Sequence, residues 1–221
     1  MKRILILTIL LMSSLAWAGS TTVVVGQGGE SYEIEDAFGS DTSANYTKIK
    51  DVAGSGSLVI NDESSGVCTQ TTGTVGMWFH ETALSSVNHY VQATVLVGVT
   101  GDPDYGDYTA LIVRSDGSSG ATSDCYYIDR DGTTFDLYRM VNDSATYLTS
   151  SSSGQATGSH TMRVEVSGTD PVNITVYYNG SEIINYNDDN AARLQTGSYI
   201  GMRIKNGGGG AYLDDLIGDA L

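Results

Sequence analysis

The feature that most constrains this chain is a strict two-residue alternation of apolar and polar side chains. In Tyr90-Val91-Gln92-Ala93-Thr94-Val95-Leu96-Val97, the residues Val91, Ala93, Val95, Val97 and then Val99 fall on one side, and Tyr90, Gln92 and Thr94 on the other. Successive residues of a strand point to opposite faces, so this pattern predicts a strand with one face in a core. Met162, Val164 and Val166 alternate with Arg163 and Glu165 in the same way, as do Val172, Ile174, Val176 and Tyr178 with Asn173 and Thr175. Further strands are predicted at 57–61, 75–80, 108–114, 125–130, 134–141, 146–149, 198–205 and 212–217. No useful length carries the helical period; 189–194 is expected to form a single helical turn at most. Turn chemistry agrees. Asn179-Gly180 and Asp131-Gly132 are strong hairpin signals, and Asn142-Asp143-Ser144 marks another reversal. Glycines 207–210 link the last two strands, and the Ser/Gly-rich 150–159 reads as a surface loop. About a dozen short strands with such turns indicate an all-β, two-sheet antiparallel β-sandwich of jelly-roll type.

The N-terminus reads as an address. Lys2 and Arg3 precede an apolar run from Ile4 to Met12, and Ala16-Trp17-Ala18 forms a cleavage pattern before Gly19. The run is far short of the roughly 20 residues that span a bilayer. The expectation is therefore a signal peptide at 1–18, a single domain over 19–221, and a secreted protein, extracellular or periplasmic. The formal net charge is −15, and loss of the two leader cations would take it to −17. Such a balance excludes nucleic acid and an anionic membrane surface as partners, since both need a basic patch. Export makes a disulfide permissible, and Cys68 and Cys125 are the two cysteines. They form either a bridge or a pair of buried thiols.

Several ordered motifs resemble the concanavalin A-like lectin/glucanase superfamily, particularly its secreted bacterial laminin G-like and glycan-binding modules. Glu35-Asp36-Ala37-Phe38 leads toward Asn45-Tyr46-Thr47. His160-Thr161-Met162-Arg163-Val164-Glu165-Val166-Ser167-Gly168 leads to Val176-Tyr177-Tyr178-Asn179-Gly180. Gly197-Ser198-Tyr199-Ile200-Gly201 precedes Leu213-Asp214-Asp215-Leu216. The likeness runs from about Tyr32 to the C-terminus. It implies a jelly roll, but the superfamily holds lectins, glycosidases, lyases and adhesion modules, so fold alone does not choose an activity.

The enzymes of this superfamily carry clusters that this chain lacks. Its glycosidases place paired carboxylates on one strand face. Glu33 and Glu35 have the right parity, but they fall on the first, outer strand and no third acid follows in register. Of the lyase clusters, Arg163-Val164-Glu165 matches two positions of R-x-E-x-R, with Ser167 in place of the second arginine. Arg163 and Glu165 read more simply as a cross-strand ion pair on a solvated face. His80, His89 and His160 lie in no supporting motif.

The first reading is therefore a non-catalytic domain that binds an extracellular or cell-surface glycan at the concave sheet or its loop rim. Flat aromatic faces and fixed polar groups suit sugars. Trp78, Tyr105, Tyr108, Tyr126, Arg114, Arg130 and Arg139 are the candidate ligand contacts, with the arginines lining a groove at strand ends. A structural Ca2+ is expected from hard oxygen donors. Asp36, Asp214 and Asp215 would meet if the terminal strands are neighbours, and Asp102, Asp104 and Asp107 crowd one loop. The second reading is an extracellular structural or adhesion subunit that packs against copies of itself. The third is a polysaccharide hydrolase or lyase with an unusual site.

Overall fold

A computed structural model describes residues 31–53, 57–61, 67–70, 74–97, 108–131, 134–152, 158–206 and 212–221. The proposed leader, and with it Lys2 to Ala18, lies outside these residues. Tyr32–Leu221 forms one compact unit. Its strands, numbered in chain order, make two antiparallel sheets. The eight-stranded sheet runs β13 (Ser181–Asp188), β12 (Val172–Tyr178), β11 (Gly158–Ser167), β6 (His89–Val97), β15 (Tyr212–Ala220), β4 (Val67–Gln70), β3 (Leu58–Asn61), with β1 (Ile34–Asp36) also paired to β15. The seven-stranded sheet runs β10 (Ser144–Ser152), β9 (Thr134–Val141), β8 (Cys125–Asp131), β7 (Tyr108–Ser115), β14 (Tyr199–Asn206), β5 (Thr74–His80), β2 (Tyr46–Ala53). The expected sandwich is present, and the described residues contain two short 3-10 turns but no α-helix. The hairpin after β9 turns through Asn142 and Asp143, both at positive φ, and the one after β12 through Asn179 and Gly180. These conformations match the right-handed twist of the flanking strands. Ser150 to Ser152, expected in a loop, extend β10 instead.

The alternation predicted for β6 and β11 places Val91, Ala93, Val95, Met162, Val164 and Val166 in the interior, opposite Leu111, Val113, Tyr126, Ile128, Phe135 and Leu137 of the other sheet. Each such side chain contributes roughly 1.5–3 kcal/mol by burial. A second apolar cluster comprises Ile49, Met77, Phe79, Ala110, Ile112, Cys125, Tyr127 and Met140. Its members alternate with interior residues along β5, β7 and β8, so it lies on the far face of the seven-stranded sheet.

The two cysteines are therefore kept apart, and no disulfide forms. Cys68 faces the interior from β4, with its Sγ 3.4 Å from Met202 Sδ. Cys125 belongs to the second cluster, so the seven-stranded sheet stands between the two thiols. Both are free and buried, and burial pushes each thiol well above its usual range, which leaves it protonated.

One end of the sandwich is gathered by Arg114, a fully buried cation at the end of β7. Its Nη1 donates to Gly168 O at 2.8 Å and to Leu194 O at 2.9 Å, and its Nη2 donates to Val87 O at 2.9 Å. Those carbonyls belong to three different connections, β11–β12, β13–β14 and β5–β6. The Arg114 backbone, at φ 52°, donates its N–H to His89 Nε2 at 3.1 Å. Burial holds the His89 imidazole down to about 4, so it is neutral and can accept that bond. Replacing Arg114 by Met strands three loop carbonyls, and urea melts are expected to show a loss of about 3–5 kcal/mol. Because the fold refuses a proton that the unfolded chain accepts, the stability owed to His89 is complete above pH 6.5 and is lost as pH falls toward 4. His89→Gln is expected to flatten this part of the stability–pH curve, and an unchanged slope would contradict the assignment.

Candidate functional site

The structure moves most of the sequence-predicted ligand contacts into the interior. Tyr126 Oη donates to Asp188 Oδ2 at 2.7 Å and accepts the Leu194 N–H at 3.0 Å. Arg139 Nη1 grips both oxygens of Asp188, at 2.8 and 2.7 Å. This network ties β8 and β9 to β13 across the sandwich. Arg130 is fully buried with its guanidinium 5.1 Å from the Tyr178 ring centroid, and Arg114 caps the three loops. Trp78 is 3% exposed, in a slot left by Gly76, where a Cβ would come within 2.3 Å of the indole. The rows Tyr126/Ile128 and Phe135/Leu137/Arg139 each share a face as expected, but that face is the inward one. On β7 it is Ala110 and Ile112 that face outward, and the positive φ at Arg114 swings its side chain back to the interior. Tyr105 and the side chain of Tyr108 lie outside the described residues.

The acidic sites also resolve differently. β1 and β15 are indeed neighbours, with Asp36 opposite Leu216. However, the Asp36 carboxylate is buried and accepts from Phe38 N at 2.9 Å, Thr42 Oγ1 at 2.6 Å and Tyr46 Oη at 3.0 Å. Asp214 and Asp215 lie outside that pocket, and among the described residues no group of three or more acidic, His or Cys side chains is arranged to hold a metal ion. The donor set of Asp36, Asp214 and Asp215 thus does not fit Ca2+. Asp102, Asp104 and Asp107 lie outside the described residues. Glu33 is bound to the Ser85 N–H and hydroxyl, both at 2.6 Å, which hold its carboxyl below the usual range.

Both outer faces carry aligned side chains. On the seven-stranded sheet Tyr127, Tyr138 and Tyr147 stand directly opposite one another across β8, β9 and β10. Tyr127 and Tyr138 stack at 5.0 Å, nearly parallel, so they spend their faces on each other. Tyr138 and Tyr147 meet edge to face at 5.8 Å. Beside this row an Arg203–Asp129 ion pair lies against Tyr127, and Lys50 pairs with Asp143. The arrangement is closely packed, with Tyr147 as its exposed member.

The outer face of the eight-stranded sheet is different. Strand register places Glu35, Ile217, Gln92, Arg163, Tyr177 and Glu182 in a single row across β1, β15, β6, β11, β12 and β13. Arg163 stands at its centre. Its guanidinium lies 3.6 Å from the Tyr90 ring centroid, and its Nε donates to Glu165 Oε1 at 2.8 Å. A depression of about 480 Å³ opens over it, lined by Gln92, Thr161, Arg163, Glu165, Tyr177 and Asn179. A neighbouring one of about 290 Å³ shares Gln92 and Thr161 and continues to Glu35, Thr94 and Asp215. From β12 to β1 the cleft crosses about 20 Å at ordinary interstrand spacing. The Glu165 charge beside Tyr177 raises its phenol further, so the hydroxyl stays a neutral donor and acceptor. Sequence reasoning placed Arg163 and Glu165 together on a solvated face, but it missed Gln92, Tyr177 and Asn179. The signal that unites them is the β6–β11–β12 register.

The fold is a two-sheet antiparallel β-sandwich similar to those of several solved structures, consistent with the concanavalin A-like architecture. It is similar to a carbohydrate-binding module, CBM66, from Bacillus subtilis, with TM-score 0.58 and 11% identity over 80% of this chain and 96% of that one. It is similar to the exoplasmic/lumenal domain of VIP36 in a form bound to Ca2+ and Man2, with TM-score 0.58 and 13% identity over 85% of this chain and 86% of that one. A Bacillus subtilis protein of unknown function with a galectin-like fold gives TM-score 0.62 and 10% identity over 86% of this chain and 96% of that one. No family model and no curated protein matches the chain. At these identities the likeness establishes the architecture.

Proposed function

We propose that this is a secreted, non-catalytic, laminin G-like module that binds a glycan in the cleft across β12, β11, β6, β15 and β1. The observation that carries the reading is the held state of Arg163. With the Tyr90 ring under its guanidinium and Glu165 on its Nε, the side chain is fixed before any ligand arrives, so little conformational entropy remains to be lost. Around it stand two amides, Gln92 and Asn179, the Thr161 hydroxyl and the half-buried Tyr177. Amides and hydroxyls both donate and accept, which suits a ligand whose own hydroxyls do the same. The Tyr177 ring supplies an apolar patch for sugar C–H groups. Acids at both ends of the row, Glu35 and Glu182, favour a neutral glycan over an anionic one. The carbohydrate-binding module and the Man2-bound lumenal domain with the same architecture support this class of ligand.

A glycan array with the purified protein is expected to give hits among neutral oligosaccharides. A hydrogen bond from a charged donor contributes about 1.5–3 kcal/mol, so Arg163→Ala should weaken binding about tenfold or more. Tyr177→Ala should do likewise, and Tyr147→Ala on the opposite face should change nothing. An array without hits, or hits indifferent to Arg163→Ala, would overturn the reading. A structural Ca2+ is proposed at Asp102, Asp104 and Asp107, three hard carboxylate donors within six residues of sequence. Melting with and without a chelator tests it: a fall in Tm on chelation supports the site and an unchanged Tm removes it.

A further inference from the structure

We infer, on the reading of the cleft as the glycan site, that its glycan carries an acetamido group whose carbonyl is held by a ladder of asparagine amides on β12 and β13. Asn173 Nδ2 donates to Asn185 Oδ1 at 3.0 Å and to Asn187 Oδ1 at 3.1 Å. Thr175 Oγ1 donates to Asn173 Oδ1 at 3.0 Å, and Asn185 Nδ2 donates to Glu182 Oε1 at 3.5 Å. Strand register joins this ladder to the cleft. Thr175 stands opposite Glu165, Asn185 opposite Thr175, and Glu182 opposite Tyr177. At ordinary strand geometry Asn185 and Asn187 lie about 8 and 14 Å from Tyr177, within reach of a short oligosaccharide.

The direction of the ladder is fixed at one end. A primary amide can turn either way, and its hydrogen-bond network decides which. The Glu182 carboxylate only accepts, so Asn185 turns its NH2 toward it and its oxygen toward Asn173. Asn173 must then donate, which turns its own oxygen to the Thr175 hydroxyl and leaves Asn187 to offer an oxygen in turn. The three carbonyls are thereby engaged inside the ladder, and what remains is donors. Both N–H bonds of Asn187 and one of Asn185 have no partner among the described residues. Those two side chains belong to exposed residues, while Thr175 is buried and anchors the ladder. A surface of donors needs an acceptor. Glu165 and Glu182 alongside repel an anion, so the acceptor is neutral. An amide carbonyl accepts more strongly than the hydroxyl and ether oxygens that make up the rest of a glycan.

Calorimetric titration of the full chain with matched sugars, differing only in acetamido against hydroxyl at carbon 2, tests this. The pairs are N,N′-diacetylchitobiose with cellobiose, and N-acetyllactosamine with lactose. In at least one pair the acetamido sugar is expected to bind about tenfold tighter or more. Asn187→Asp keeps the oxygen that accepts from Asn173 and removes both outward donors, so it should bring that preference close to unity with Tm unchanged. Glu182→Gln frees the ladder to turn over and should lower the preference as well. Side-chain amide nitrogen spectra should show Asn185 and Asn187 moving with the acetamido sugar and not with its hydroxyl partner. Equal affinities within both pairs, binding of none of the four sugars, or a preference that survives Asn187→Asp would each overturn the inference. Array hits confined to glycans without an acetamido group would overturn it and leave the cleft standing, whereas an array without hits overturns both.

Discussion

A guanidinium can be sealed inside a β-sandwich only where acceptors are waiting for it, and that constraint organises this protein. Arg114 meets it with the carbonyls of three connections, drawn to one point at one end of the two sheets. Arg139 meets it with both oxygens of Asp188, and Tyr126 closes the same carboxylate. Arg130 lies over the Tyr178 ring. Removing one partner from such a set costs far more than forming the set gains, so these ties act chiefly to forbid other arrangements of strands and loops. They also consume three of the chain's cations internally. The outer faces keep the excess of acid, and Arg163 is the cation exposed in the cleft.

Much of the fold was legible because alternation reports strands directly. In β6, β11 and β12 the inward rows are as expected for Val91, Ala93 and Val95, for Met162, Val164 and Val166, and for Val172, Ile174, Val176 and Tyr178, while Val99 and the side chain of Val97 lie outside the described residues. The hairpins at Asn142-Asp143 and Asn179-Gly180 were legible because few residue pairs tolerate positive φ. What alternation does not report is which side faces in when both sides are apolar. Met77-Trp78-Phe79 on β5 and Cys125-Tyr126-Tyr127-Ile128 on β8 have this character, since one row fills the interior and the other the second cluster. Trp78, Tyr126, Arg130 and Arg139 were assigned outward for that reason. The cysteines were open to pairing in sequence because their separation by a whole sheet is a property of strand order.

The site was legible in fragments. Arg163 and Glu165 share a face by parity, and the ion pair expected across strands forms instead within β11, between residues two apart. Gln92 and Tyr177 are distant in sequence and meet only because β6 and β12 both flank β11, with Gln92 and Tyr177 opposite Arg163. Glu35 joins the same row through β15, where the terminal strands meet as expected. The acid that was to share a metal with Asp214 and Asp215 was instead absorbed by a local turn, since its carboxylate satisfies Phe38, Thr42 and Tyr46. Short polar side chains near a strand end commonly do this, and it removes them from coordination.

The central claim is a division of labour among arginines, with Arg114, Arg130 and Arg139 holding the sandwich from inside and Arg163 presented to ligand outside. Guanidinium nitrogen spectra recorded with and without a bound neutral oligosaccharide test it most directly. The account predicts slow solvent exchange and unmoved resonances for the three interior side chains, and a ligand-dependent shift for Arg163. Rapid exchange at Arg114 or Arg139, or a shift on ligand addition at the interior arginines with Arg163 unchanged, would contradict it.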